Sequence, residues 1–150
     1  MAFKAYKPAT QLERSCCMQT FIVKGANRPG ELANLTGALA SEHVNVIITV
    51  IGFDGQGVAA FVCNDETAAR KALDGAKYEY QILPTVTVRL RDEVGQAADI
   101  SRRLGDQGVN IQCFLPVSIK EDTVIVALGV DNIEGAKKAL GDQLVEYTYS

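Results

Sequence analysis

Hydrophobic and polar residues follow two periods along this chain, and the periods succeed each other in a fixed order. In the first half, a short β-rich run precedes a stretch that carries Leu32, Leu35 and Leu39 at helical spacing. Two β-rich runs around a polar turn, a second helical stretch and a last β-rich run follow. The predicted elements are strand, helix, strand, strand, helix and strand, at residues 20–24, 27–43, 44–51, 58–63, 66–73 and 78–82.

The second half of the chain repeats this pattern. A shift of 65 positions places Gly95 on Gly30 and Asn110 on Asn45, and a two-residue insertion in the next hairpin changes the shift to 67. The corresponding elements are expected at residues 85–89, 92–108, 109–119, 123–128, 133–140 and 144–147. Two registers that are separated by a single turn indicate a duplicated unit.

The order βαββαβ determines the expected architecture of each half. Because βαβ crossovers are right-handed, both helices lie on one face of an antiparallel sheet, which is the ferredoxin-like arrangement. We therefore predict an α+β protein with two tandem ferredoxin-like βαββαβ units. The second strand lies at an edge of such a sheet, and Pro116 supports this placement because proline cannot donate a hydrogen bond to a neighbouring strand.

Each half is small for an independent domain. A unit of about 65 residues buries only about 60% of the surface of its unfolded chain, and an edge strand leaves backbone groups unpaired. We expect the two copies to pack on each other, and we expect a homo-oligomer, most simply a dimer, to form through edges or helical faces.

Composition argues against several classes of partner. The 150 residues carry a formal net charge of -3 with a pI of about 5.2, whereas nucleic-acid binding needs clusters of lysine and arginine. RNA binding by a ferredoxin-like sheet would need more aromatic residues than Phe21 and Phe61. Apolar runs are too short for a membrane span, and the first residues lack an apolar stretch. We expect a cytoplasmic protein that binds neither nucleic acid nor membranes.

The four cysteines match no metal signature and no disulfide framework. Cys63 and Cys113 lie in apolar runs and are expected to be small buried hydrophobic residues. The adjacent thiols of Cys16 and Cys17 would point to opposite sides of an extended chain, which argues against a shared metal, and their role stays open. We expect no metal site and no cofactor.

The turn between the first strand and the first helix is the strongest candidate for chemistry. Asn27 is a plausible N-cap, Pro29 has a φ suited to a first helical turn, and Gly30 allows another group to approach the backbone. The free N–H groups of a helix start suit a carboxylate or a phosphate. Asn45, which we expect at the same end of the sheet, offers a donor and an acceptor. Together they could hold an amino acid by its carboxylate and amino group.

Both features also have structural explanations. The turn residues could serve only to start the helix, and Asn45 and its counterpart Asn110 could satisfy neighbouring backbone groups. The copies should not bind equally, because Asp92, again a plausible N-cap, and Glu93 add negative charge to the second turn. A carboxylate should prefer the first turn, and the second turn could be purely structural.

The residues around this turn resemble a known family. The stretch NRPGEL at 27–32, the apolar helix and the sequence VNV at 44–46 are similar to the signature of ACT domains, which are small regulatory modules that bind amino acids. The second copy is similar, although Val94 stands at the proline position. The resemblance covers about residues 18–149. It implies ACT-like domains at residues 17–82 and 83–150 after an N-terminal extension at 1–16.

The resemblance implies effector binding at interfaces between ACT units, through the strand-to-helix turn of one unit and the second strand of a neighbour. It implies a regulatory role and no catalytic residues, with a small amino acid as the ligand. The ligand-binding residues that it implies are Ala26, Asn27, Arg28, Gly30, Asn45, Asp92, Glu93, Gly95 and Asn110.

Two other functions remain open. A protein-interaction module could regulate a separate enzyme or transcription factor by edge pairing. An acylphosphatase-like hydrolase shares the ferredoxin-like fold and uses an arginine and an asparagine that Arg28 and Asn45 could imitate. However, the glycine-rich loop of that family is missing, and Glu93 replaces the arginine in the second copy. The single histidine, His43, is expected in the last turn of a helix, where its positive form suits the helix dipole.

Overall fold

The computed structural model describes residues 18–149, so the predicted extension at 1–16 and the thiols of Cys16 and Cys17 lie outside the described residues. The described residues form six strands: β1 (Met18–Ala26), β2 (Val46–Phe53), β3 (Gln56–Cys63), β4 (Tyr80–Arg91), β5 (Ile111–Lys120) and β6 (Thr123–Val130). They also form four α-helices: α1 (Glu31–Ser41), α2 (Glu66–Gly75), α3 (Gln96–Asp106) and α4 (Ile133–Leu140). A short 3-10 helix, Gly141–Gln143, follows α4.

The chain divides into two compact units, which contain Phe21–Ile82 and Leu83–Tyr147 and are called the first and the second unit below. The strand order is β2-β3-β1 in the first unit and β4-β6-β5 in the second, and every one of these pairs is antiparallel. In the first unit α1 contacts α2, and in the second unit α3 contacts α4. The chain is therefore α+β with antiparallel strands, as the sequence pattern predicts.

Apolar residues at the predicted strand and helix positions form the core of the first unit. Phe21 of β1 lies opposite Phe61 of β3, and their rings stack with centroids 5.0 Å apart. Leu35 and Leu39 of α1 and Leu73 of α2 are buried in the same cluster. Burial of one side chain of this size contributes roughly 1.5–3 kcal/mol. The cluster therefore holds both helices on one face of these strands.

The second unit has a core at matching positions. Ile100 and Leu104 of α3, which the sequence repeat places on Leu35 and Leu39, are buried against Val88 of β4. The helical spacing that repeats in the sequence thus corresponds to a buried helix face in each unit.

The two outer strands, β2 and β5, differ in regularity. Each pairs with one strand only among the described residues. β2 pairs with β3 without interruption from Val46 to Phe53. The register of β5 shifts twice, between Ile111 and Cys113 and again at Pro116, which lies on an edge strand as predicted. Because bulges and prolines hinder the addition of another strand, β5 is protected and β2 is not.

Several predicted element boundaries are wrong. The strands expected at 78–82 and 85–89 are one continuous strand, β4, because the residue before Pro84 favours an extended backbone and no turn intervenes. The strand expected at 144–147 is reduced to an isolated bridge between Leu144 and Val88. His43 follows α1 instead of lying within it and has a φ of 58°.

Candidate functional site

The first candidate turn joins β1 to α1 and begins at Ala26, the last residue of β1. The helix starts after Gly30, which is the N-cap residue with φ 89° and ψ -16°. The prediction that Asn27 caps this helix is wrong, because no side chain caps it. Because the helix begins at Glu31, Pro29 lies in the turn before the helix instead of in its first turn. The N–H of Glu31 donates to the carbonyl of Arg28 at 3.4 Å, and a helix start of this kind leaves the next N–H groups to solvent or to a ligand.

Gly30 is required because of its backbone conformation, and not because a side chain at this position would collide with another atom. A φ of 89° lies in the left-handed region that residues with a Cβ rarely adopt, yet a Cβ on Gly30 would meet no atom within 4 Å. The φ of Gly30 therefore gives a conformational reason for this glycine, and the open space beside it leaves the expectation that another group can approach as a prediction. Gly95 starts α3 in the same way, with φ 94° and equally open surroundings.

Asn27 contacts the hairpin between β2 and β3. Its backbone N–H donates to the carbonyl of Gly55 at 3.1 Å. Its side chain covers Gly52 of β2, where a Cβ would lie 2.5 Å from Asn27 Oδ1. Sequence reasoning missed Gly52, although a glycine near the end of an apolar strand signals a close approach. The first turn is thus anchored on the hairpin.

Arg28 lies at the surface and pairs with the helix start. Its Nε is 2.5 Å from Glu31 Oε1, and 71% of the arginine side chain is exposed. The Glu31 side chain is only 20% exposed, so one member of this ion pair is largely covered by the protein.

Asn45 lies at the far end of the first unit from this turn. It precedes β2, whose first residue is opposite position 63 of β3, whereas Ala26 is opposite position 56. These positions are roughly 23 Å apart at 3.3 Å per strand residue. The expectation of a shared end is wrong, because α1 carries the chain back along the strands before β2 begins. Arg28 and Asn45 therefore cannot act on one small substrate within this unit, which removes the basis of an acylphosphatase-like site.

Both asparagines support strand starts. The backbone N–H of Asn45 donates to Asn64 Oδ1 at 2.8 Å, and Asn45 Oδ1 accepts from the N–H of Val46 at 3.1 Å. In the second unit the N–H of Asn110 donates to Asp131 Oδ1 at 2.8 Å. The side chains of Asn45 and Asn110 are exposed. Their contacts fit the structural alternative.

The second candidate turn carries charge of both signs. The N–H of Asp92 donates to the carbonyl of Asp122 at 2.7 Å, as Asn27 does to its own hairpin. Glu93 pairs with Arg91 of β4 at 3.5 Å. Asp92 is not the N-cap, because α3 begins after Gly95 without a side-chain cap.

The spaces beside the two turns differ in size and polarity. A cavity of about 40 Å³ lies at the start of α1, between Val23, Leu35 and Val50. This volume holds a water molecule or a few atoms. An open groove of about 610 Å³ lies beside the second turn, and it has room for a small metabolite. The residues that line the groove are Arg89, Leu90, Arg91, Glu93, Gln96, Asp122, Thr123 and Gln143.

Reactive thiols and metal ligands contribute nothing to these turns. Cys63 and Cys113 are unpaired and buried, and burial raises the pKa of the Cys63 thiol to about 12 and also raises the pKa of Cys113. Protonated buried thiols are poor nucleophiles. Within residues 18–149, no group of three or more His, Cys, Asp or Glu side chains is placed to hold a metal ion. None of the helices in that range is long and apolar enough to cross a membrane.

Comparison with known proteins gives matches in structure only. No protein-family model and no curated protein sequence matches the chain. The structure of protein BT0572 from Bacteroides thetaiotaomicron superimposes with a TM-score of 0.73 and 19% identity, over 87% of this chain and 93% of that one. The ligand-free regulatory subunit of aspartate kinase from Thermus thermophilus matches with a TM-score of 0.60 and 22% identity, over 85% and 93%.

A third match is to the aspartokinase alpha and beta subunits, with a TM-score of 0.58 and 23% identity, over 84% of this chain and 91% of that one. The chain has the fold of ACT-domain regulatory proteins. This finding confirms, at the level of the fold, the resemblance to ACT domains that the residues 27–32 and 44–46 indicate.

Proposed function

We propose that this protein is a regulatory module that binds a small amino acid through two ACT-like domains, residues 17–82 and 83–150. Each domain would be a ferredoxin-like βαββαβ unit of a tandem pair, and the protein would act in the cytoplasm as a homodimer that controls a separate enzyme or transcription factor. The fold that the chain shares with the regulatory subunit of aspartate kinase supports a regulatory role and not a catalytic one.

The uncapped helix start after the first strand of each unit carries this proposal. Gly30 and Gly95 hold the same left-handed conformation at the same place, and no side chain takes the N–H groups behind them. The second helix of each unit is capped by a side chain, so the open start is a property of this position and not of the fold in general. Open N–H groups at a helix start favour an anionic group such as a carboxylate.

The proposed ligand contacts fall into two sets. The turn residues are Ala26, Asn27, Arg28 and Gly30 in the first unit and Asp92, Glu93 and Gly95 in the second. The strand-start residues Asn45 and Asn110 lie at the far ends of their units, so in this proposal each serves a turn of a neighbouring unit.

A thermal-shift screen against the common amino acids tests the proposal. A ligand at a hundred times its dissociation constant adds about 2.7 kcal/mol to the free energy of unfolding. We expect at least one amino acid to raise the melting temperature, and Gly30→Ala or Gly95→Ala to abolish that rise. Gly108→Ala is the matched control, because Gly108 also has a positive φ, of 69°, but lies outside the turns. If no amino acid shifts the wild-type chain, the proposal fails.

A second candidate function, regulation by strand pairing with a protein, is favoured by the edge of β2. This strand has no bulge, and it exposes 67% of Ile51 and 81% of Phe53. We expect Ile51→Lys to lower the oligomeric state in sedimentation measurements. Ile119→Lys on β5 is the control, since Ile119 is 68% exposed on the protected edge. Equal effects of the two variants would argue against pairing through β2.

A further inference from the structure

Lys24 of β1 is held by Glu79 in the first unit. The backbone N–H of Lys24 donates to the carbonyl of Glu79 at 3.1 Å, and its Nζ lies 3.0 Å from Glu79 Oε1. The duplicated sequence places Arg89 at the position of Lys24, and Glu146 at the position of Glu79. An equivalent ion pair would therefore be expected in the second unit.

The second unit does not form this pair, because its last segment has a different register. Leu144 bridges to Val88, and the N–H of Val145 donates to the carbonyl of Thr87 at 2.9 Å. From this bridge the segment runs along β4 toward Thr87, and Arg89 lies on the other side of the bridge. Glu146 is thus carried away from the guanidinium. No ion pair of Arg89 is found within the described part of the chain.

Arg89 is one of the residues that line the groove of about 610 Å³ beside the second turn. Leu90 is buried between the exposed Arg89 and Arg91, so the two arginines project from the same face of β4. Their Cα atoms are roughly 6.6 Å apart, which is two strand residues. Gln96 and Thr123 add an amide and a hydroxyl group to the same groove.

The groove combines guanidinium groups with carboxylates. Arg91 is 3.5 Å from Glu93 in a pair whose side chains are 74% and 56% exposed, so this pair holds its members weakly. Asp122 adds a second carboxylate to the lining. Arginine binds a carboxylate through two parallel hydrogen bonds, and the carboxylates of the groove suit an ammonium group. A small molecule with a carboxylate and an amino group is complementary to both.

We propose that the groove around Arg89 is the carboxylate-binding site of the second unit, with Gln96 and Thr123 as polar partners. The choice of an amino acid as its ligand rests on the proposed function, whereas carboxylate binding by Arg89 does not. The assignment reverses the expectation that a carboxylate prefers the first turn. Charges within the turns favour the first turn, but β4 supplies two cations to the second, and the first has a cavity of only about 40 Å³ beside it.

Nuclear magnetic resonance titration of the full chain tests this site. The probe is acetate, the simplest carboxylate, at constant ionic strength, followed by the amino acids of the thermal-shift screen. We expect acetate to shift the amide signals of Gln96 and Thr123. Arg89→Gln should weaken this binding at least about tenfold, since a hydrogen-bonded charge pair is lost. Lys24→Gln, the matched change in the first unit, should leave it unchanged.

Arg89→Lys separates charge from geometry, because lysine keeps the charge but lacks the planar fork of donors. We expect it to lose most of the acetate affinity, and unchanged melting temperatures confirm that these surface variants fold. Absence of shifts at Gln96 and Thr123, or full affinity in Arg89→Gln, overturns the site. Amino-acid shifts confined to residues 26–31 would overturn the site and leave the proposed function standing. Acetate binding at Arg89 without any amino-acid binding would support the site and defeat the proposed function.

Discussion

The two helices of each unit begin in different ways. α1 and α3 follow Gly30 and Gly95, which are left-handed and offer no side chain to the helix. α2 and α4 follow Asp65 and Asn132, which are extended with φ -141°, and each accepts a hydrogen bond at 2.9 Å from an N–H of the first helical turn. Each unit therefore has one helix start that a side chain caps, called closed below, and one without a side-chain cap, called open.

The side-chain caps of α2 and α4 stabilise these helices, whereas the starts of α1 and α3 lack such a cap. A side-chain cap contributes typically about 1 kcal/mol by satisfying a donor that the helix leaves unpaired. At Gly30 and Gly95 that contribution is absent: the N–H groups of Glu31 and Gln96 donate to the carbonyls of Arg28 and Glu93, and the N–H groups that follow them remain for water or a ligand. Because the open start recurs at the equivalent position of both units, it is the feature that ligand binding would use.

The largest expected effect is that of Gly30→Val. A β-branched residue in the left-handed region is strained, so we expect the free energy of unfolding to fall by roughly 1–3 kcal/mol. Gly37→Val within α1 is the control and should change stability by only a few tenths of a kcal/mol, since an ordinary helical φ accepts valine. Urea denaturation of the two variants measures both values. Similar losses would show that Gly30 is not conformationally required.

The next effect concerns the closed starts. Asp65→Ala removes the acceptor of the Ala68 N–H, so we expect a loss of about 1 kcal/mol in the free energy of unfolding. Asn27→Ala, which sequence reasoning would treat as the same loss of a cap, should cost only about 0.3 kcal/mol, since Asn27 caps no helix. Chemical denaturation of both variants decides the matter, and a larger loss for Asn27→Ala would contradict the assigned N-caps.

Gly30→Asn is expected to have a smaller effect than Gly30→Val. Asparagine adopts the left-handed region more readily than other residues with a Cβ, so we expect a loss of roughly 0.5 kcal/mol. Gly95→Asn should lower the free energy of unfolding by a similar amount. Thermal denaturation of the two asparagine variants provides the test. A loss as large as that of the valine variant would mean that crowding and not φ determines the residue.

An effect of similar size tests the contact between the first turn and β2. Gly52→Ala places a Cβ against the Asn27 side chain, but that side chain is exposed and can move. We expect a loss of about 0.5 kcal/mol in the wild-type chain and no loss in the Asn27→Ala background. A double-mutant cycle measures this coupling. If the losses in free energy of unfolding of the two single variants simply add, the Asn27 side chain does not contact Gly52.

Local patterns predicted much of this structure. The apolar spacing of Leu35 and Leu39 identified the buried face of α1, and its repeat at Ile100 and Leu104 identified that of α3. The first residues of α1 and α3 were harder to predict, because Asn27 and Asp92 fit the N-cap preference as well as the residues around Gly30 and Gly95 do. Only the backbone angle of the glycine separates these alternatives.

The candidate sites were only partly predictable. The glycine turns recur in the sequence, but the far position of Asn45 depends on where α1 returns the chain to the start of β2. Likewise, nothing near Arg89 in the sequence indicates that its expected partner Glu146 is out of reach, since this follows from the register of Leu144 against Val88.

The sequence by itself determined the succession of helices and strands, apart from the last strand of each half, and the buried faces of α1 and α3, because periodicity is a local property. The tertiary structure alone decided the continuity of β4, the opposite ends of Arg28 and Asn45, and the groove around Arg89. These depend on strand register, which joins residues that are distant in sequence, and a small shift of register moves a charged side chain to or from its partner.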